Sequence, residues 1–135
     1  MLGELEGSDK VVVSDLEAGV GTLTRLQAGH ADVVLVIAEP SAKSIEVARR
    51  AADIASQHTR VIVVANRVRD QADVDAIRVQ LGKQRELMVV PEDPSITQAD
   101  RDGLAPIDAA EPGAGVRSIV ELANRLTQDA PKVSS

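Results

Sequence analysis

Val33-Val34-Leu35-Val36-Ile37-Ala38-Glu39-Pro40-Ser41 is the stretch that decides the fold. Val33–Ala38 is apolar without a break, and an unbroken rather than alternating run marks a strand covered on both faces. Pro40 cannot donate to a ladder, and Ser41 is of the residue types that cap helix amino ends. Beyond it, Ile45, Ala48, Ala52 and Ala55 recur at helical spacing through residues 42–57, giving one narrow apolar stripe. A buried strand followed by a polar turn and an amphipathic helix is the repeating unit of a parallel sheet.

The same grammar recurs along the chain. Residues 10–14, 60–65 and 87–90 are further Val/Ile/Leu runs of strand length. A helix is expected over Gln71–Leu81, with Asp70 as its cap, Val74, Ile77 and Leu81 on one face, and Gly82 as its stop. Another is expected over residues 115–127, with Val116, Ile119, Val120, Ala123 and Leu126 turned inward. Strands alternating with helices predict an open, mostly parallel, doubly wound α/β sheet. Residues 1–128 read as one such domain and residues 129–135 as a polar tail.

Composition narrows the function. Of 135 residues none is Phe, Tyr or Trp, so the core must be built from Val, Ile, Leu and Ala, and no such ring is present to stack a nucleobase. The formal charge is −6 with the cations scattered, which argues against nucleic acid as a partner. The absence of cysteine excludes disulfides, thiolate catalysis and Cys-ligated zinc. His30 and His58 lack a second ligand at metal spacing. Ser14, Ser41 and Ser44 lack a nearby base for a nucleophilic triad. No apolar run approaches the roughly 20 residues of a membrane span, and Met1-Leu2-Gly3-Glu4 is not a signal peptide. The expectation is a cytoplasmic protein.

In open α/β sheets ligands bind beyond the carboxyl ends of the strands. The tips here are Asp15-Leu16-Glu17-Ala18-Gly19, Glu39-Pro40-Ser41, Asn66-Arg67-Val68-Arg69-Asp70 and Pro91-Glu92-Asp93-Pro94. A carboxylate at a strand end with glycine within a turn is one way to hold a metal-bound phosphate; it is also an ordinary turn former. Asn66 can read a base edge or bond its own loop. The Gly-rich phosphate loop G-x-x-x-x-G-K-[ST] that normally faces such an aspartate does not occur in these residues. Gly82-Lys83 is followed by Gln84 and lacks the upstream glycine.

In their order and spacing these tips resemble the deviant-Walker P-loop ATPases of the MinD/ParA group. Asp15-Leu16-Glu17-Ala18-Gly19 is similar to the D-x-E-A-G of the CooC-type nickel-insertion ATPases, with Arg25 as the basic residue beyond it. Ala31 to Ser41 resembles that group's next strand and turn, Asn66-Arg67 its Asn-Lys/Arg pair, and Pro91-Glu92-Asp93 with Gly103-Leu104-Ala105-Pro106 its later turns. The resemblance implies ATP and Mg²⁺ as ligands. Asp15 would hold the magnesium shell through water and Gly19 would donate its amide toward the γ-phosphate. Asn66 would read adenine, and the turn Pro91 to Asp93 would flank the base. It further implies a partial P-loop fold lacking the phosphate-loop strand, without hydrolysis by the chain alone. Either the strand of residues 10–14 pairs directly with Val33–Ala38, or a homodimer partner or a separate chain bearing the phosphate loop fills the gap. The group's metal-binding cysteine pair is absent. The alternative class is a non-catalytic α/β interaction or dimerisation module. A phospho-receiver domain would need an acidic pair after the first strand and a lysine after the last, which the chain does not provide.

Overall fold

The computed structural model describes residues 11–15, 31–109 and 111–129. They form three parallel strands, β1 (Val33–Ala38), β2 (Arg60–Val68) and β3 (Glu86–Pro91), in the spatial order β1-β2-β3. The register runs from Val33↔Arg60 to Ala38↔Ala65 and from Ile62↔Glu86 to Asn66↔Val90. Helices α1 (Ala42–Ala55) and α2 (Gln71–Leu81) make the two crossovers. Helices α3 (Pro94–Arg101) and α4 (Ala114–Asp129) follow β3, with a single 3₁₀ turn at Pro106–Asp108 between them.

Two crossovers of the usual right-handed kind, stepping in the same direction across a sheet, must lay their helices on one face. α1 and α2 accordingly share a face and enclose the main core. From the sheet it takes Val34, Val36, Ala38, Val61, Val63, Ala65 and Val68. The helices contribute the residues expected of them: Ile45, Ala48, Ala52 and Ala55 from α1, and Val74, Ile77 and Leu81 from α2. The alanines let α1 lie close on a sheet that has no aromatic rings to accommodate. Both caps are also as the sequence predicts. Ser41 Oγ accepts from the Ser44 amide at 3.2 Å, and Asp70 Oδ1 from the Asp73 amide at 3.0 Å. Gly82 ends α2 at φ 94°, a backbone region that side chains avoid.

The opposite face is thinly covered. Its buried cluster is Val64, Val90 and Leu122, flanked by Leu35, Met88 and Leu126, where α4 rests against β3. Here the expected inward stripe of the last helix is corrected. Val116 and Leu122 are buried, but Ile119 and Val120 stay substantially exposed, as does Ala123. α4 rests mainly against β3 at one flank of the three-stranded sheet, so only part of its apolar surface is enclosed.

Two other differences are informative. The strand expected over residues 10–14 is not formed by its described part: Val11, Val12 and Val13 are exposed, Val13 at 88%. Strand-forming residues need a ladder to join, and among the described residues β1 pairs with β2 alone. Conversely α3 is a helix that the apolar pattern of the sequence does not announce. Its signals are the Asp93 cap and Pro94 in the first turn. Its mostly polar surface, with only Ala99 buried, hides the periodicity. No helix among the described residues is long and apolar enough to cross a membrane.

Candidate functional site

The carboxyl ends of all three strands open on one rim, and the sequence shapes each tip differently. After β1, the Glu39 amide donates to Ser44 Oγ at 2.9 Å, folding the Glu39-Pro40-Ser41 turn back onto the first turn of α1. β2 ends in a bulge: the register slips between Asn66 and Val68, leaving Arg67 as the extra residue. Arg67 is the non-glycine residue with positive φ, 58°, among the described residues. After β3, the Glu92 amide donates to Val68 O at 2.9 Å, which locks the third tip against the second.

The bulge carries the Arg67 side chain to the middle of the rim. Its guanidinium lies 3.7 Å from Glu39 and 3.7 Å from Glu92, outside direct hydrogen-bonding reach of either carboxylate. These groups, with Pro40, Ser41 and Arg69, line a shallow cavity of about 210 Å³. Arg69 is committed elsewhere, because its amide and Nε both donate to Asp73 Oδ2. Those bonds hold the Asp73 carboxyl below its ordinary value, the backbone amide contributing most. Arg67 therefore stands in the rim with its donors unspent, flanked by two acids, which suits a ligand edge that both donates and accepts. A left-handed Arg costs ~1–2 kcal/mol of backbone strain relative to glycine. Arg67→Gly should therefore raise the urea midpoint, corresponding to about 1 kcal/mol, while removing the rim's central cation; an unchanged or lower midpoint would refute the strain argument.

Asp93 is the buried charged residue of the described structure, at 8% exposure. Oδ1 accepts from the Ser95 amide at 2.9 Å, capping α3, and Oδ2 accepts from the Val116 amide at 3.1 Å, in the first turn of α4. The Ser95 hydroxyl in turn accepts from the Gly113 amide at 3.2 Å. One carboxylate thus closes the amino ends of two helices, and the Ser95 hydroxyl bond, with the Val116, Ser95 and Gly115 amides, outweighs burial and holds its pKa below the ordinary value. This leaves the backbone of the turn and the Glu92 side chain, rather than the Asp93 carboxylate, open toward the rim.

The other expected site residues are placed as follows. Asn66, partly buried, is the last regular residue of β2 before the bulge, and Pro91, also partly buried, ends β3. Both therefore belong to the rim with Asp93. Asp15 is exposed and, among the described residues, makes no hydrogen bond or ion pair. Gly19 lies outside the described residues. Among the described residues no group of three or more His, Asp or Glu is placed to hold a metal ion. Sequence reasoning missed the placement of Glu39, Arg67 and Glu92 around one cavity, and the close approach of Gly113 and Gly115 to Asp93. The Gly113-Ala114-Gly115 spacing at the start of α4 was the available signal.

Among solved structures, the MinD cell division protein of Aquifex aeolicus superposes with a TM-score of 0.58 over 78% of this chain. The fold is MinD-like. At 22% identity the likeness is one of architecture, and the chain spans 48% of that protein's length. No protein-family model matches the sequence, and no curated protein matches it.

Proposed function

We propose that the chain is the base- and magnesium-side portion of a MinD/ParA-type ATP site, closest to the CooC-type branch, whose phosphate loop comes from another polypeptide segment. The observation that carries this reading is the rim: Asn66, Pro91 and the Glu92–Asp93 turn stand at the carboxyl ends of β2 and β3, beside a small cavity to which Glu39, Arg67 and Glu92 contribute their side chains. The MinD-like architecture supports it, because in doubly wound sheets ligands bind beyond the carboxyl ends of the strands.

In this reading Asn66 reads the adenine edge and the Pro91 to Asp93 turn flanks the ring. Asp15 would hold the hydrated Mg²⁺, and Gly19, which lies outside the described residues, would supply an amide to the γ-phosphate. The residues present suit the base better than the phosphates. The rim supplies mixed donors and acceptors, whereas triphosphate binding draws on a nest of backbone amides and a lysine that this sequence does not contain. The chain alone is accordingly expected to bind ATP too weakly to hydrolyse it.

Isothermal titration of the chain with Mg-ATP should give no resolvable heat at submillimolar nucleotide. The same titration with a loop-bearing partner should give binding that Asn66→Ala weakens. Submillimolar binding by the chain alone would refute the division of the site. Binding with the partner that is indifferent to Asn66→Ala would refute the assignment of the base. That β1 pairs on one side only among the described residues favours a second reading, an interaction or dimerisation module without chemistry, in which neither titration would show nucleotide binding.

A further inference from the structure

Among the described residues, the outer edge of β1 carries none of the features that keep sheet edges from pairing. Val33–Ala38 contains no charge, proline or bulge, and among the described residues it pairs on one side only. Alternate backbone N–H and C=O groups of a strand paired on one side point outward, unspent. Ile37 is 52% exposed on the face that α4 leaves open. Three parallel strands with one apolar edge make an unfinished sheet, since parallel sheets are normally covered throughout.

Charge decides what completes it. The edge is bracketed by two carboxylates, the exposed Asp32 before Val33 and the half-exposed Glu39 after Ala38. A second copy paired along the whole edge with two-fold symmetry would run antiparallel, setting Asp32 of each chain against Glu39 of the other. Like charges directly opposite are destabilising, and each chain already carries −6. Parallel pairing of two copies would set Asp32 beside Asp32 and Glu39 beside Glu39, again like against like. A strand with cations at both ends meets neither obstacle.

We propose that β1 is a docking edge for an extended apolar segment of another protein, Val- or Ile-rich over about six residues and flanked by Lys or Arg at both ends, which joins as a fourth strand by β-augmentation. The inference goes beyond the nucleotide reading and stands on the sheet edge alone, so its test contains no nucleotide.

The probe is an acetylated, amidated peptide of alternating Val and Ile with a lysine at each end, added in excess to the full chain and followed by hydrogen exchange. Amides of residues 33–38 should exchange about tenfold more slowly or less, since an added ladder bond must open first. A peptide with glutamate at each end should give markedly weaker slowing. Ile37→Lys, which places a charge on the edge, should abolish the effect, whereas Val79→Lys, on the exposed flank of α2, should leave it intact. Three results would overturn the proposal. The lysine peptide could leave exchange unchanged, or the two peptides could act equally. Alternatively, residues 33–38 could already be protected in a concentration-dependent dimer of the chain alone, making a second copy the occupant. Melting curves of both variants close to that of the parent chain establish that the reading reports the edge rather than unfolding.

Discussion

Asp93→Ala should lower the melting temperature by about 5–15 °C, a large effect for an aspartate in a chain with 21 acidic residues. Most of those acids sit in water, where their pairs contribute little. Asp93 differs because its two oxygens are the acceptors for the Ser95 and Val116 amides, which belong to helix first turns with no intrahelical partner. Alanine removes a cap from α3 and an acceptor from α4 together, and the buried position restricts replacement by water. Asp93→Asn is the sharper probe. It preserves shape and one acceptor, but turns the other oxygen into a donor facing an N–H group. It should therefore lose a substantial part of the same stability at neutral pH.

The pH dependence has a definite sign. The folded-state pKa of Asp93 is lowered, so its contribution is complete above the unfolded value of about 3.9 and is lost as pH falls through the folded value. Glu86, lowered chiefly by its hydrogen bond from Arg60, and Asp73, lowered by Arg69, act in the same direction. The parent chain should lose stability progressively below about pH 4. Asp93→Asn should show a shallower acid limb, converging on the parent at the lowest pH. Parallel limbs in denaturation curves at pH 7, 4 and 3 would show that Asp93 is not the titrating cap described here.

The middle of the fold was legible because periodicity and packing agree there. Ile45, Ala48 and Ala52 on α1 and Val74, Ile77 and Leu81 on α2 meet a sheet face that is covered, so apolar spacing and burial coincide. The expectations failed where a neighbour was assumed. Ile119 and Val120 obey the period of α4 and still face outward. Val11 to Val13 are strand-formers with no ladder among the described residues. The rim was legible as a set of polar tips, but its arrangement was not. That Arg67 is delivered between Glu39 and Glu92 depends on a one-residue slip between β2 and β3, which is a property of the pairing and not of either segment. The role of Asp93 likewise depends on residues some twenty positions further along.

Gly115→Ala should destabilise the chain by about 1–3 kcal/mol, the usual range for overpacking, against the sign that helix propensity alone dictates. Exchanging glycine for alanine within a helix ordinarily gains up to about 1 kcal/mol, and Gly115 lies in the first turn of α4. A Cβ there, however, would stand 2.7 Å from the Asp93 Cβ and 2.9 Å from the Pro91 carbonyl oxygen. Neither atom is the end of a flexible side chain, so α4 would have to lift away from the β3 tip. That movement would stretch the Val116 to Asp93 bond and unseat Leu122 from Val64 and Val90. Gly113 gives an independent control, because a Cβ there would fall on the Asp93 carboxylate oxygens themselves. The penalty for Gly113→Ala should therefore shrink when Asp93 is already alanine, while that for Gly115→Ala should persist through its clash with Pro91. Urea denaturation of the two double-mutant cycles separates the cases. Additivity at Gly113, or a stabilising Gly115→Ala, would mean that α4 is not held against the rim turn by this contact. Because the turn from Pro91 to Asp93 forms one wall of the proposed base site, the same two substitutions should shift its position without altering any residue assigned to nucleotide recognition.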